Sequence, residues 1–196
     1  MIDQSSIRSR IQTQRATLTK DQQSILSKKI CHEILNSAAL NNAKHIAIYL
    51  PVRGEADPTY LQEFNELSNK SFYLPILSKT NKNHLEFALY NAQTTMKLNR
   101  FNIPEPDVAE EELLTDPKKL DAVIMPMVAI DRCGNRIGMG GGFYDRTFEF
   151  RKTENCKPTL IAFAYDFQLI EEQVPQAWDV PSDFIALESE FITPKS

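Results

Sequence analysis

Four short apolar runs, at residues 45–50 (HIAIYL), 72–77 (FYLPIL), 122–130 (AVIMPMVAI) and 159–165 (TLIAFAY), constrain the fold of this chain more than any other feature. They are nearly continuous, the pattern of strands buried on both faces. Segments of helical period lie between or before them. Thr19 and Gln22 form a capping-box pattern ahead of Ile25, Leu26, Ile30, Ile34, Leu35 and Ala38, which recur at helical spacing. Ile7 and Ile11, four apart in the polar, Arg-dotted stretch 1–17, predict a weaker amphipathic helix. Asp57-Pro58 supplies N-cap and N1 signals for a helix to about residue 69. Alternating strands and helices predict an α/β fold: one three-layer α/β/α domain over residues 1–196, with a mostly parallel sheet. Leu85, Phe87 and Leu89 alternate with Glu86, Ala88 and Tyr90, which predicts a half-buried strand in an antiparallel excursion. Residues 91–118, interrupted by Pro104, Pro106 and Pro117, read as mostly loop.

Charge and cysteine usage exclude several classes. With 22 basic and 26 acidic residues the formal net charge is -4, so the chain is not a globally basic nucleic-acid binder. Cys31, Cys133 and Cys156 are odd in number and lack CxxC spacing, which argues against a disulfide framework or a zinc site and fits a reducing cytoplasm. The first 30 residues are too polar for a signal peptide, and no run approaches 18 apolar residues. The expectation is a cytoplasmic protein with no membrane or nucleic-acid partner, a monomer or weak dimer. His32, His45 and His84 are scattered and read as structural or surface residues.

Glycine is scarce except at one place. At the usual ~7% a chain of this length would carry about 14. There are six, and Gly134, Gly138, Gly140, Gly141 and Gly142 fall within nine residues. The cluster follows the run 122–130 and precedes a helix predicted over 143 to about 152. A Gly-rich loop between a buried strand and a helix can curl backbone N–H groups round an anion, at the strand ends where α/β sheets bind ligands. The loop lacks the Gly-Lys-Ser/Thr ending of a Walker A motif, and Gly138-x-Gly140 is not a full GxGxxG. Arg136 adds a guanidinium suited to phosphate oxygens. Asp145, three residues past the last glycine, would repel a bound phosphate unless a cation lay between them, and Mg²⁺ takes one or two carboxylates plus substrate phosphates.

The run Pro126-Met-Val-Ala-Ile-Asp131, followed by Gly134-Asn-Arg-Ile-Gly-Met-Gly-Gly-Gly-Phe-Tyr-Asp-Arg146, resembles the signature of the 5-formyltetrahydrofolate cyclo-ligase family, also called methenyltetrahydrofolate synthetases. The resemblance extends over nearly the whole chain, through an Arg-containing N-terminal helix, Gly54-Glu55 after an apolar strand, Pro104-Glu105-Pro106, Val174-Pro175 and Trp178-Asp179-Val180-Pro181. It implies Mg²⁺- and ATP-dependent conversion of 5-formyltetrahydrofolate to 5,10-methenyltetrahydrofolate with release of ADP and phosphate. ATP would phosphorylate the formyl oxygen so that N10 can close the ring.

Position by position, the resemblance implies that Arg136, Ile137, Gly138, Met139, Gly140, Gly141, Gly142, Phe143 and Tyr144 hold ATP, with Arg136, Gly140, Gly141 and Tyr144 nearest the chemistry. Met139 to Phe143 would also border the folate, with Leu50 and Glu55 lining its pterin site. Asp145 and Asp179 would be the Mg²⁺ carboxylates. Arg8 matches the family's N-terminal arginine near ATP, while Gln4 stands where many members have lysine. Gln4 gives weight to an alternative, a non-catalytic folate- or nucleotide-binding protein that sequesters 5-formyl folate. Trp178 is the sole tryptophan and, beside Asp179, a reporter of metal or nucleotide binding.

Overall fold

The structure, a computed structural model, describes residues 3–171, 173 and 175–194; Val174, one of the residues carrying the resemblance, lies outside them. Helix α1 (Gln4–Thr17) and helix α2 (Lys20–Asn36) form where the apolar spacing predicts them. The capping box at α2 is present: the Thr19 hydroxyl accepts from the Gln22 N–H, and the Gln22 side chain accepts from the Thr19 N–H. Ile30, Cys31 and Ile34 form its buried stripe.

The four apolar runs build a seven-stranded sheet. Strands β1 (His45–Ala47), β2 (Ser71–Leu77), β6 (Ala122–Met125), β9 (Thr159–Phe163) and β11 (Phe184–Ala186) are mutually parallel neighbours. Strand β3 (Leu85–Leu89) adds antiparallel to β2 at one edge, and β12 (Phe191–Ile192) antiparallel to β11 at the other. The order is β12-β11-β9-β6-β1-β2-β3. Side chains divide by the two-residue strand period. Ile46, Ile124 and Ile161 join α2 in one core, whereas Ala47, Val123, Leu160 and Ala162 pack on the opposite face with Phe148. Covering both faces explains why these runs are apolar throughout.

Several local expectations are corrected. The segment predicted as a helix from Asp57 is two 3₁₀ turns, Pro58–Glu63 and Asn65–Leu67, because Phe64 between them has extended backbone. Asp57 does act as the N-cap, accepting from the Thr59 N–H. On β3, Ala88 is buried and Leu89 exposed, so the alternation reverses at its end. Residues 91–118 are not simply loop. They contain an antiparallel hairpin of β4 (Met96–Leu98) and β5 (Pro104–Pro106), whose prolines are tolerated in a two-stranded sheet with open edges. The run 122–130 breaks at Pro126, after which β7 (Ala129–Asp131) leaves the large sheet. It pairs antiparallel with β8 (Arg136–Ile137) and parallel with β10 (Leu169–Ile170). The helix expected over 143–152 is only α3 (Phe143–Thr147), followed by a 3₁₀ turn, Glu149–Lys152.

Asp121 ties the sheet together just before β6. One carboxylate oxygen accepts the backbone N–H groups of Lys44 and His45 at 2.8 and 2.9 Å, and the other accepts from Lys157 at 2.7 Å. Burial pushes its pKa up, but the Lys157 bond and the two N–H groups outweigh that and hold it at about 2, below the ordinary 3.8. A depressed carboxylate stabilises the fold above its unfolded value and loses that contribution as pH falls toward its folded value. Asp121→Asn is therefore expected to cost about 1–2 kcal/mol near neutral pH, allowing for solvent screening of the exposed Lys157. The gap to the unmodified protein should narrow as pH falls from 3.8 through about 2. Chemical denaturation followed at several pH values measures it; a gap independent of pH would reject the assignment.

Candidate active site

Chain order places a crevice beside β1. From β1 the chain moves outward to β2 and β3, then returns to the other side of β1 as β6. Such a switch point leaves room beyond the strands' carboxyl ends. A cavity of about 590 Å³ occupies this place. Tyr49, Leu50 and Glu55 reach it from the segment after β1, Pro126 and Met127 from the end of β6, and Phe101 from the tip of the β4–β5 hairpin. That hairpin is anchored by buried Glu105, which accepts from the Leu77 N–H at 3.3 Å and from Asn99 at 3.2 Å.

The glycine segment forms the opposite wall. Gly138, Met139, Gly141, Gly142, Phe143, Tyr144 and Asp145 all line the cavity, as does Arg136. The Phe143 ring meets Phe101 edge-on, 5.9 Å between centroids, so the hairpin and the glycine segment touch across the mouth. Ile137 is turned away, into a small core with Ile7, Ile11, Val128 and Ala129. Gly140, Gln4, Arg8 and Asp179 are not in the lining. Arg8 nevertheless reaches the segment, since its Nε donates to the Gly138 carbonyl at 2.9 Å while its Nη2 donates to Gln4 at 3.0 Å.

The five clustered glycines divide by task. A Cβ on Gly134 would stand 2.6 Å from the Ser182 carbonyl, so this glycine serves the close packing of the β7–β8 turn, outside the cavity lining. Gly138 and Gly140 would meet nothing within 4 Å, leaving open space beside bare backbone. Gly140 and Gly142 have φ of +96° and +64°, conformations that L side chains rarely adopt. Because α3 is only five residues long, its dipole adds little, so an anion at this segment would be met by backbone N–H groups and nearby arginine instead.

Arg136 is buried, its Nη2 donating to Asp145 at 2.6 Å and its Nη1 to the Val180 carbonyl at 2.5 Å. Burial pulls its pKa down, opposed by the Asp145 charge. The same Asp145 oxygen accepts the Val180 N–H at 3.2 Å, and one Asp179 oxygen accepts the Gln176 N–H at 2.8 Å. The second oxygen of each carboxylate accepts no hydrogen bond among the described residues. No group of three or more His, Cys, Asp or Glu able to hold a metal is found among the described residues. Beside Asp179, Trp178 is 63% exposed.

Electrostatics at the other end centre on Glu55. Burial pushes its pKa up, while Arg15, the Val52 N–H and Arg53 oppose the rise. Burial, and next the Glu55 charge, hold the Tyr49 and Tyr144 phenols above their usual range, so both remain protonated donors. Sequence reasoning missed Arg15, Tyr49, Met127 and the hairpin tip. Arg15 follows Arg8 by seven residues, two helical turns along one face, a spacing that would have flagged it. A more open depression of about 710 Å³, lined by His84, Lys118, Arg146 and Phe150 among others, contains none of the predicted site residues.

The model of the 5-formyltetrahydrofolate cyclo-ligase family matches residues 1–188. The chain belongs to this family. It is 38% identical over 175 residues to the 5-formyltetrahydrofolate cyclo-ligase of Haemophilus influenzae, covering 89% of this chain and 92% of that one. The cyclo-ligase of Escherichia coli K12 is 33% identical over 171 residues, 87% of this chain and 92% of the relative. The NMR structure of Aquifex aeolicus 5,10-methenyltetrahydrofolate synthetase aligns with a TM-score of 0.80 at 27% identity, covering 98% of this chain and 93% of that one. As a member of the cyclo-ligase family the chain is an enzyme, and the cavity at the switch point is its candidate active site. Among the described residues no helix is long and apolar enough to cross a membrane.

Proposed function

We propose that this enzyme uses ATP and Mg²⁺ to convert 5-formyltetrahydrofolate to 5,10-methenyltetrahydrofolate, releasing ADP and phosphate. The observation that carries the reading is that, in a chain of this family, one cavity is walled by Leu50 and Glu55 on one side and by Gly138, Met139 and Gly141 to Asp145 on the other. Two co-substrates that exchange a phosphoryl group must meet in one place, and phosphoryl transfer needs positioning and charge neutralisation more than a protein nucleophile.

Glu55 is the acceptor for ring N–H donors of the folate, against the apolar side of Leu50. Met139 and Phe143 border the formyl end. Backbone N–H groups from Ile137 through Phe143 face the ATP phosphates, where Gly138 and Gly140 leave space for oxygens. Arg136 supplies positive charge and Tyr144 a protonated hydroxyl near the transferring group. Arg8, with Gln4 on its flank, sits at the outer end of the phosphate wall through its bond to Gly138. The formyl oxygen attacks the γ-phosphorus, ADP leaves, N10 adds to the activated carbon and gives up its proton to the departing phosphate or to water, and the C–O bond breaks to release phosphate. Asp145 and Asp179 each keep one oxygen without a partner among the described residues, which fits Mg²⁺ held by two carboxylates and completed by phosphate oxygens and water. When bound, that ion would neutralise charge on the transferring phosphates.

The test is spectroscopic. With 5-formyltetrahydrofolate, Mg²⁺ and ATP, the near-ultraviolet absorbance of the methenyl product should rise and require all three components. Binding of both ligands with no such rise would overturn the catalytic reading in favour of sequestration.

A further inference from the structure

We propose that Arg15 is a positioning residue, which orients the Glu55 carboxylate toward the folate half of the cavity and ties it to α1. The inference rests on the reading of Glu55 as acceptor for the folate ring. Arg15 is 2% exposed and lines the cavity, an unusual place for a charge unless it is paired. Its Nη1 lies 3.6 Å from Glu55 Oε1, and its Nη2 donates to the Met127 carbonyl beyond β6. The other Glu55 oxygen accepts the Val52 N–H at 3.1 Å, so each carboxylate oxygen is held by one protein partner and keeps further acceptor capacity for a ligand. The backbone is bent to make this meeting. Arg53 and Gly54 have φ of 51° and 75°, and a Cβ on Gly54 would stand 3.3 Å from the Arg15 carbonyl.

The arrangement does more than hold a helix. The planar guanidinium bridges the segment after β1 and the end of β6, two neighbouring elements that line the switch-point crevice, and fixes the carboxylate between them. The titratable and charged groups facing Glu55 are Arg15 from α1, Arg53 and Tyr49 from the segment around β1, and Tyr144 from α3. Both tyrosines stay neutral and Arg53 is exposed, which leaves Arg15 as the buried counter-charge. Without it, burial raises the Glu55 carboxyl against only the Val52 N–H and the exposed Arg53, and the protonated acid presents an O–H where ring N–H donors require an acceptor.

The experiment compares Arg15→Met, Arg15→Lys and Glu55→Gln, reading KM for each substrate, kcat, and calorimetric affinity for 5-formyltetrahydrofolate from about pH 6 to about pH 9, the range in which buried carboxyls titrate. Arg15→Met is expected to weaken folate binding about 10- to 100-fold near neutral pH, the worth of a charged hydrogen bond, in KM rather than kcat. The loss should shrink as pH rises and Glu55 ionises. Arg15→Lys should recover part of the affinity, and Glu55→Gln should bind folate weakly at every pH. A loss shared equally by folate and ATP, with no pH dependence, would mean that Arg15 only braces α1 and would overturn the proposal. If Arg15→Met does not fold, Arg15→Lys decides, because an ammonium lacks the planar fork; a folate KM equal to that of the unmodified enzyme then overturns it. Undiminished folate affinity in Glu55→Gln would instead remove the assigned role of Glu55.

Discussion

Asp145→Asn is expected to lower turnover by about 100-fold or more, the scale of losing one charge-stabilising group in an active site. The residue has two tasks that can be separated. Its Oδ1 accepts from Arg136 and from the Val180 N–H, and an asparagine carbonyl can keep both bonds. What the amide removes is the negative charge, which faces Arg136 and is proposed to meet Mg²⁺. The expected signature is a folded enzyme whose Mg²⁺ activation curve is flattened or moved to much higher concentration. Asp145→Ala should add a folding penalty of about 2 kcal/mol beyond that of Asp145→Asn, because it removes the oxygen that accepts from the buried Arg136 and from the Val180 N–H as well as the charge. Turnover measured against Mg²⁺ concentration, beside a denaturation curve, distinguishes the two effects. An unchanged Mg²⁺ response in Asp145→Asn would falsify the metal assignment.

Gly141→Val should abolish measurable ATP binding at concentrations that saturate the unmodified enzyme, a loss of about 100-fold or more if overpacking costs 1–3 kcal/mol and the phosphate space is also filled. The cause is local. A Cβ at Gly141 would stand 2.8 Å from two carbons of the Phe143 ring, closer than real contacts allow. That ring is itself braced edge-on against Phe101, and two further methyl groups would project into the cavity wall. Backbone conformation is not the reason at this position, because the positive φ angles of the segment belong to Gly140 and Gly142. Gly140→Ala makes the contrast: it meets open space and should cost only about 1–2 kcal/mol of backbone strain. Calorimetry with ATP on a variant shown to be folded measures both, and undiminished affinity in Gly141→Val would reject the site.

Strong patterns in the sequence carried the architecture, and weak local ones did not. Apolar runs buried on both faces predicted the parallel strands, and the capping box predicted α2 down to its hydrogen bonds. The strand after Pro126 was misplaced because periodicity reports burial but not the sheet to which a strand belongs; β7 is as buried as β6 yet pairs with β8 and β10. The helix expected after the glycines ends at Thr147, where Phe148 leaves helical geometry to fill the core opposite α2. Of the site, the glycine wall was visible because bare backbone is rare in this chain. Gly134 was counted with it although its constraint is the Ser182 carbonyl, a neighbour 48 positions away that no local pattern reveals. Arg15 was harder to see: its spacing from Arg8 marks a shared helix face, but only the fold brings Glu55 and Met127 to it.

The exposed Trp178 gives the enzyme a selective optical signal. Its indole is already largely in water in the folded chain, so unfolding changes its surroundings little and its emission should hardly follow denaturation. Stability measurements such as those on Asp121→Asn are therefore better read by circular dichroism. The same indole adjoins Asp179, and the segment it occupies ends at Val180, whose carbonyl and N–H meet Arg136 and Asp145. Fluorescence should thus be quiet to the state of the fold and responsive to what arrives beside those carboxylates, letting occupancy and stability be followed independently in one sample.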